Sequence, residues 1–281
     1  MLVIGLLLVL PQPVRAETIR LPRTVPSFNQ NFTDGPGAWG DCSLGTNGCP
    51  DRVSATGCLI AAFASVLGYY GVEVQVPAAA SCTGRARSGM DPGLLNDWLR
   101  THGGFGRCSQ DPVGDCCLAW DRLPGDIELA FHSNRSDDGL NAVASVVIDH
   151  ALREGHPIVA GVHWGAVCRG GSSQTEDCHW IVMTGKLGDT YTIVDPINPD
   201  ASDPHGVRTT LDAGTHGNYI VDRFVVVSGT AGVSGPAITD LRETSEPHAP
   251  SETSAVTTVA VLIGLLAAVA AIIALVASKG E

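Results

Sequence analysis

Positive charge is scarce in this 281-residue chain. Lysine and arginine number 17 against 29 acidic residues, the formal net charge is −12, and no run of cations occurs. Phosphate recognition needs clustered cations, so the composition argues against a nucleic-acid-binding face. The chain also lacks a glycine-rich phosphate loop and any internal repeat. Its cysteines lack the paired C-x-x-C spacing that marks a zinc site. No cofactor or metal is called for. Hydrophobic residues make up 44% of the chain, which indicates a folded globular protein rather than a disordered one.

A long uncharged stretch lies near each end. Leu2 to Leu10 is an apolar run, followed by Val14-Arg15-Ala16, with small residues where a signal peptidase reads. Residues 1–16 therefore read as a signal peptide cleaved after Ala16. From Ser254 to Ser278 no charged residue occurs, and Val259 to Ala277 is continuously apolar. A spanning helix needs about 20 such residues, whereas a buried core helix rarely is apolar on every face for so long. Residues 254–278 read as a single transmembrane helix. Lys279 follows it and Glu243, Glu246 and Glu252 precede it, which places the tail 279–281 in the cytoplasm and the rest outside. Residues 229–253, rich in Ser, Thr, Pro, Gly and acids, read as a flexible stalk. The expected location is the cell surface, and residues 17–228 remain as the folded domain.

Nine cysteines fit an exported domain, where they serve as bridges. Nine is odd, so full bridging leaves one thiol over. Proximity suggests Cys42 with Cys49 and Cys168 with Cys178. The sequons Asn31-Phe32-Thr33 and Asn134-Arg135-Ser136 would suit an exported surface.

Helical periodicity is clear from Leu59 to Tyr70, with Thr56 or Gly57 as cap and Gly71 as stop. Further helices are expected over Asp91–Thr101 and Gly139–Arg153. Arg107 to Pro124 looks irregular and cysteine-tied. After Gly155 the pattern changes to strands: Pro157–Val162, His179–Gly185 and Tyr191–Pro196, the last two joined by a turn at Leu187-Gly188-Asp189, then Tyr219–Val221 and Phe224–Val227. Helices first and an antiparallel sheet second make an α+β fold, with a helical N-terminal half packed on the sheet.

Four residues carry candidate chemistry. Cys58 opens an apolar helix, where the dipole and unpaired N–H groups favour the reactive thiolate and can stabilise an oxyanion. Taken alone, it reads more readily as another bridged cysteine. His179 opens a strand, and Asp195 ends the next one before Pro196. Adjacent antiparallel strands can set that carboxylate against the imidazole and hold its tautomer. Gln30 lies upstream, where its amide could donate to an oxyanion. His150, His156 and His163 read as structural, and Trp39, Trp164 and Trp180 as cleft or core.

The order of these pieces is similar to the papain-like cysteine peptidases of the bacteriocin-leader (double-glycine) processing type, and more narrowly to their stand-alone relatives without a transporter. The matching segments are Val25–Gln30, Gly57–Gly71, Leu94–Leu99 before Gly103-Gly104, Leu152–Val159, His179–Gly185 and Tyr191–Pro196. The resemblance implies a papain-like fold and a peptide or protein substrate. It implies Cys58 as nucleophile, His179 as base, Asp195 as the group orienting the histidine and Gln30 as oxyanion donor. The eight further cysteines, and the stretches Arg107–Asp121 and Cys168–Asp177, have no counterpart in that family. Two alternatives stand beside hydrolysis: an inactive surface-binding module on the same scaffold, and acyl transfer through the same cysteine. The oligomeric state is left open.

Overall fold

The computed structural model describes residues 17–108, 114–134, 139–164 and 179–230. These all belong to the compact unit Met1–Ser234. The expected signal peptide and transmembrane helix lie outside the described residues, as does the expected stalk beyond residue 230; Gly229, assigned to the stalk, instead ends the last strand. Among the described residues no helix is long and apolar enough to cross a membrane.

The elements are β1 (Thr18–Arg20), α1 (Val53–Thr56), α2 (Cys58–Tyr69), β2 (Val74–Val76), β3 (Arg87–Gly89), α3 (Pro92–Thr101), β4 (Phe105–Gly106), β5 (Cys117–Leu118), β6 (Ile127–Ser133), α4 (Ala142–Arg153), β7 (Ile158–His163), β8 (His179–Leu187), β9 (Thr190–Asp195), β10 (Val207–Thr210) and β11 (Ile220–Gly229). The main antiparallel sheet runs β10-β9-β8-β7-β11-β6, with β1 paired to the end of β8.

Period-2 alternation divides the sheet side chains between two cores. Val159, Val182, Val194, Val225 and Val227 face α2. Ile158, Ala160, Val162, Ile181, Met183 and Ile193 face α4. The sheet is therefore covered on both faces, not packed on one side by a single helical layer. This explains why β7 is buried at all six positions and reads as a continuous apolar run.

Helix α2 buries nine of its twelve residues, so packing more than intrinsic propensity holds it. Phe63 and Leu67 are fully inside; burial of each such side chain is worth about 2–3 kcal/mol. The helix ends in a Schellman motif. Gly71 N–H donates to Gly68 and Val72 N–H to Leu67, while Gly71 takes φ 75°, a conformation that costs glycine nothing. Helices α3 and α4 are capped by Asp91 and Asn141, whose side chains accept from Leu94 and Ala144.

Three sequence expectations need correction. First, the sheet also draws on the first half of the chain. Strand β6 pairs β11 from Ile127↔Gly229 to Ser133↔Arg223, and β1 pairs β8. β6 is an edge strand with mixed burial, so it carries no clean alternation to read. Ile220–Val221 and Phe224–Val227 belong to one strand, which Tyr219 immediately precedes and which is interrupted only by a register shift between Val221 and Arg223.

Second, the disulfides are Cys42–Cys82, Cys49–Cys116 and Cys108–Cys117. Cys42 does not bridge Cys49. A reciprocal backbone pair, Thr46 N–H to Asp115 and Asp115 N–H to Thr46, both 2.9 Å, lays the segment that begins at residue 114 on the loop before α1. That brings Cys116 to Cys49. Cross-links closing loops of 40 and 67 residues are worth about 4 kcal/mol each by loop entropy. The proposed Cys168–Cys178 bridge lies outside the described residues.

Third, Asn134 is not a surface sequon. It is buried, and its Nδ2 donates to Gly139 and Val221 while its Oδ1 accepts from Asn141.

The β8–β9 hairpin forms as expected. Leu187 faces Thr190 across Gly188-Asp189, with Gly188 at φ 63° as a two-residue turn requires. This turn fixes the register that sets His179 and Asp195 at the same end of the sheet.

Candidate active site

Cys58 is the first residue of α2 and the free cysteine among the described residues. The helix has no side-chain cap: Gly57 occupies the N-cap, and its carbonyl takes only the ordinary first helical bond, from Ala61 N–H at 2.9 Å. The positive helix end is thus left to whatever sits at Cys58. Gly57 is demanded by the junction with α1 rather than by substrate approach. A Cβ there would stand 2.3 Å from the Val53 carbonyl oxygen.

His179 opens β8, directly opposite Val162 of β7, and is almost wholly buried, at 1% exposure. Its Nε2 lies 2.7 Å from Asp195 Oδ1. The ring is also hydrogen-bonded to the Cys58 side chain, and Nδ1 is the nitrogen left for that bond. The imidazole therefore links the start of α2 to the end of β9. Burial opposes its charge, but the Asp195 and Cys58 bonds outweigh burial and push it up to about 9. At neutral pH the histidine is an imidazolium held between a carboxylate and a sulfur.

Asp195 is completely buried. Burial alone would raise it, yet the bond to His179 and further donors hold it down at about 2. Oδ1 accepts from His179 and from Ile197 N–H at 2.9 Å; Oδ2 accepts from Thr215 N–H at 3.1 Å and Tyr219 Oη–H at 2.7 Å. A buried carboxylate survives only when its lone pairs are filled in this way. Tyr219 is pushed upward by its own burial and by Asp195, so it remains a donor.

Gln30 is buried as well. Its backbone N–H donates to Pro196, the residue after Asp195, at 2.8 Å. Its Nε2 donates to the Ser54 carbonyl of α1 at 3.0 Å. That uses one amide N–H. The second N–H and Oε1, which has no partner, remain in the wall beside the α1–α2 junction.

All four residues singled out from the sequence thus converge, from segments up to 165 positions apart. Sequence reasoning missed Ser54, Ile197, Thr215 and Tyr219. Tyr219 resembles any strand tyrosine, and its role comes only from β11 passing beside β7. The three tryptophans separate. Trp39 and Trp180 belong to the α2-side core. Trp164 stacks on His216 at 4.2 Å and meets His179 edge-on at 6.4 Å. Of the histidines read as structural, His156 meets the Tyr70 hydroxyl and His163 pairs with Asp222. Cys116 and Cys117 are both spent in disulfides.

The family model described as "Peptidase_C39 like family" matches residues 23–219. That interval contains every residue of the site. No curated protein and no solved structure matches the chain.

Proposed function

The chain belongs to the Peptidase_C39-like family, and on that premise we propose that it is a thiol hydrolase of peptide amide bonds. The Cys58 thiolate adds to the carbonyl carbon and His179 delivers the proton to the leaving amine. A water, deprotonated by His179, then attacks the acyl carbon, releases the acyl group as a carboxylic acid and restores the thiolate beside a protonated His179. Asp195 keeps the imidazole oriented and stabilises its charged form. The second N–H of Gln30 and the backbone N–H of Cys58 are the donors for the oxyanion. The observation that carries this reading is the position of His179, bonded on one side to Asp195 and on the other to the free Cys58.

The test is alkylation and turnover on the full chain. Iodoacetamide is expected to label Cys58 and to abolish cleavage of a peptide library, and Cys58→Ala is expected to be inactive while still folded. A disulfide at Cys58, or cleavage that survives Cys58→Ala, overturns the proposal. Release of amide products when an amine is added would redirect it to acyl transfer.

We also propose that the domain is exported and anchored by residues 254–278, on the strength of the uncharged apolar stretch in the sequence. Surface biotinylation and membrane fractionation of the intact chain test this. A chain that keeps residues 1–16 and stays out of the membrane fraction sinks it.

A further inference from the structure

A cavity of about 930 Å³ opens between the 35–43 loop and the 82–87 segment, beside the Cys42–Cys82 disulfide. Its wall contains Arg85, Arg87 and Arg100, with Asp41 as the single acid. Three guanidiniums around one concavity are notable in a chain with only 17 cations and a net charge of −12.

The arginines are held there by the fold. Arg87 closes on Asp91, the N-cap of α3, and Arg100 lies 3.8 Å from Asp97 on the same helix. Each of these two guanidiniums is thus paired with one carboxylate. Arg87 Nη1 and Arg100 Nε lack an acceptor but are buried from solvent, so only the remaining N–H groups of these side chains can meet a ligand in the cavity. Unmade bonds of this kind are costly and uncommon in folded proteins. Arg85 is exposed and makes no ion pair among the described residues. A planar guanidinium with spare N–H groups is suited to bidentate capture of a carboxylate or similar oxyanion.

The cavity wall is wired to the candidate active site. The Cys42 carbonyl accepts from Val53 N–H at 3.0 Å, and the Gly40 carbonyl from Ser54 N–H at 2.9 Å. Val53 and Ser54 begin α1, which ends next to Cys58, and Ser54 in turn holds Gln30. α1 is only on the order of 6 Å long. An extended peptide advances about 3.3 Å per residue, so a chain engaged at Cys58 spans that helix within a few residues.

We propose that this cavity is an oxyanion-binding site that takes an acidic side chain or terminal carboxylate of the polypeptide acted on at Cys58. The site itself stands on the three arginines; its assignment to the substrate rests on the hydrolase reading.

The test uses the full chain carrying Cys58→Ala, so binding is read without turnover and independently of whether the protein is a hydrolase. A labelled (Glu-Gly)4 peptide is titrated by fluorescence anisotropy against a (Gln-Gly)4 control, with inorganic sulfate and phosphate as competitors. Saturable binding of the Glu peptide at least tenfold tighter than the Gln peptide is expected. Arg85→Gln is expected to weaken it about tenfold, and added salt to weaken it further. Asp41→Asn, which removes the like charge, is expected to tighten it several-fold, a gain that a misfolded variant would not give. Equal binding of the two peptides, or affinity unchanged in both Arg85→Gln and Asp41→Asn, overturns the site. Binding of sulfate or phosphate without binding of the Glu peptide overturns the assignment to a polypeptide.

Discussion

The charge on His179 makes the stability of this protein depend on pH in a direction opposite to ordinary acid denaturation. In the folded chain His179 keeps its proton up to about 9, against 6.5 when unfolded. Below pH 6.5 both states are protonated and the bonds to Asp195 and Cys58 contribute fully. Between 6.5 and 9 the native state still holds a proton that the unfolded state has released, so stability falls by about 1.4 kcal/mol per pH unit. Over the 2.5-unit window this amounts to about 3 kcal/mol.

The depression of Asp195 from 3.8 to about 2 describes the same buried pair and amounts to about 2 kcal/mol, so the two figures are not summed. Asp195's share is present above pH 3.8 and is lost as pH falls through 2. The assay is tryptophan-monitored urea unfolding of the disulfide-intact chain at pH 6, 7.5 and 9.5. Measurement stops there because Tyr70, Tyr191 and Tyr219, all raised by burial first, begin to add their own loss near pH 10. His179→Gln is the reference and is expected to show a much flatter profile. If wild type and His179→Gln lose stability in parallel from pH 6 to 9.5, the imidazolium pairing deduced from the structure is wrong.

Three further outcomes follow from the same geometry. Gly57→Ala places a methyl against the Val53 carbonyl, a distance of 2.3 Å with no flexible neighbour to yield; a stability loss of about 1–3 kcal/mol is expected in urea unfolding, with slower alkylation of Cys58. Gln30→Ala removes the side-chain oxyanion donor and is expected to lower kcat roughly 10²–10³-fold with little change in KM, read by steady-state cleavage. Tyr219→Phe removes one of the four donors to Asp195. A loss of about 2 kcal/mol at pH 7 and an upward shift of the Asp195 carboxyl are expected, measured by unfolding and by NMR titration.

Much of the site was legible before the fold. Cys58, His179, Asp195 and Gln30 stand at a helix start, a strand start, a strand end before proline, and an upstream loop; each signal is weak alone, and their order along the chain carried the reading. The hairpin could be read because Gly188-Asp189 is turn chemistry and its register is short-range. The cystine framework could not be read that way. Cys42 and Cys49 are close along the chain, but the Thr46–Asp115 backbone pair decides which sulfurs meet. Strand β6 was invisible for a similar reason. It lies at a sheet edge, and its pairing with β11 spans about a hundred residues.

The sequence by itself determined the class of the fold and the positions of its main helices and strands, because each follows from periodicity and capping within a short window; Cys58 was singled out as a nucleophile only through the family resemblance. Tertiary structure alone decided that His179 would carry a proton near neutral pH, that Asp195 would be held by Tyr219 and Thr215, and that three arginines would line one cavity. Those properties depend on which groups are buried together, and burial sets the strength of every charge and hydrogen bond involved.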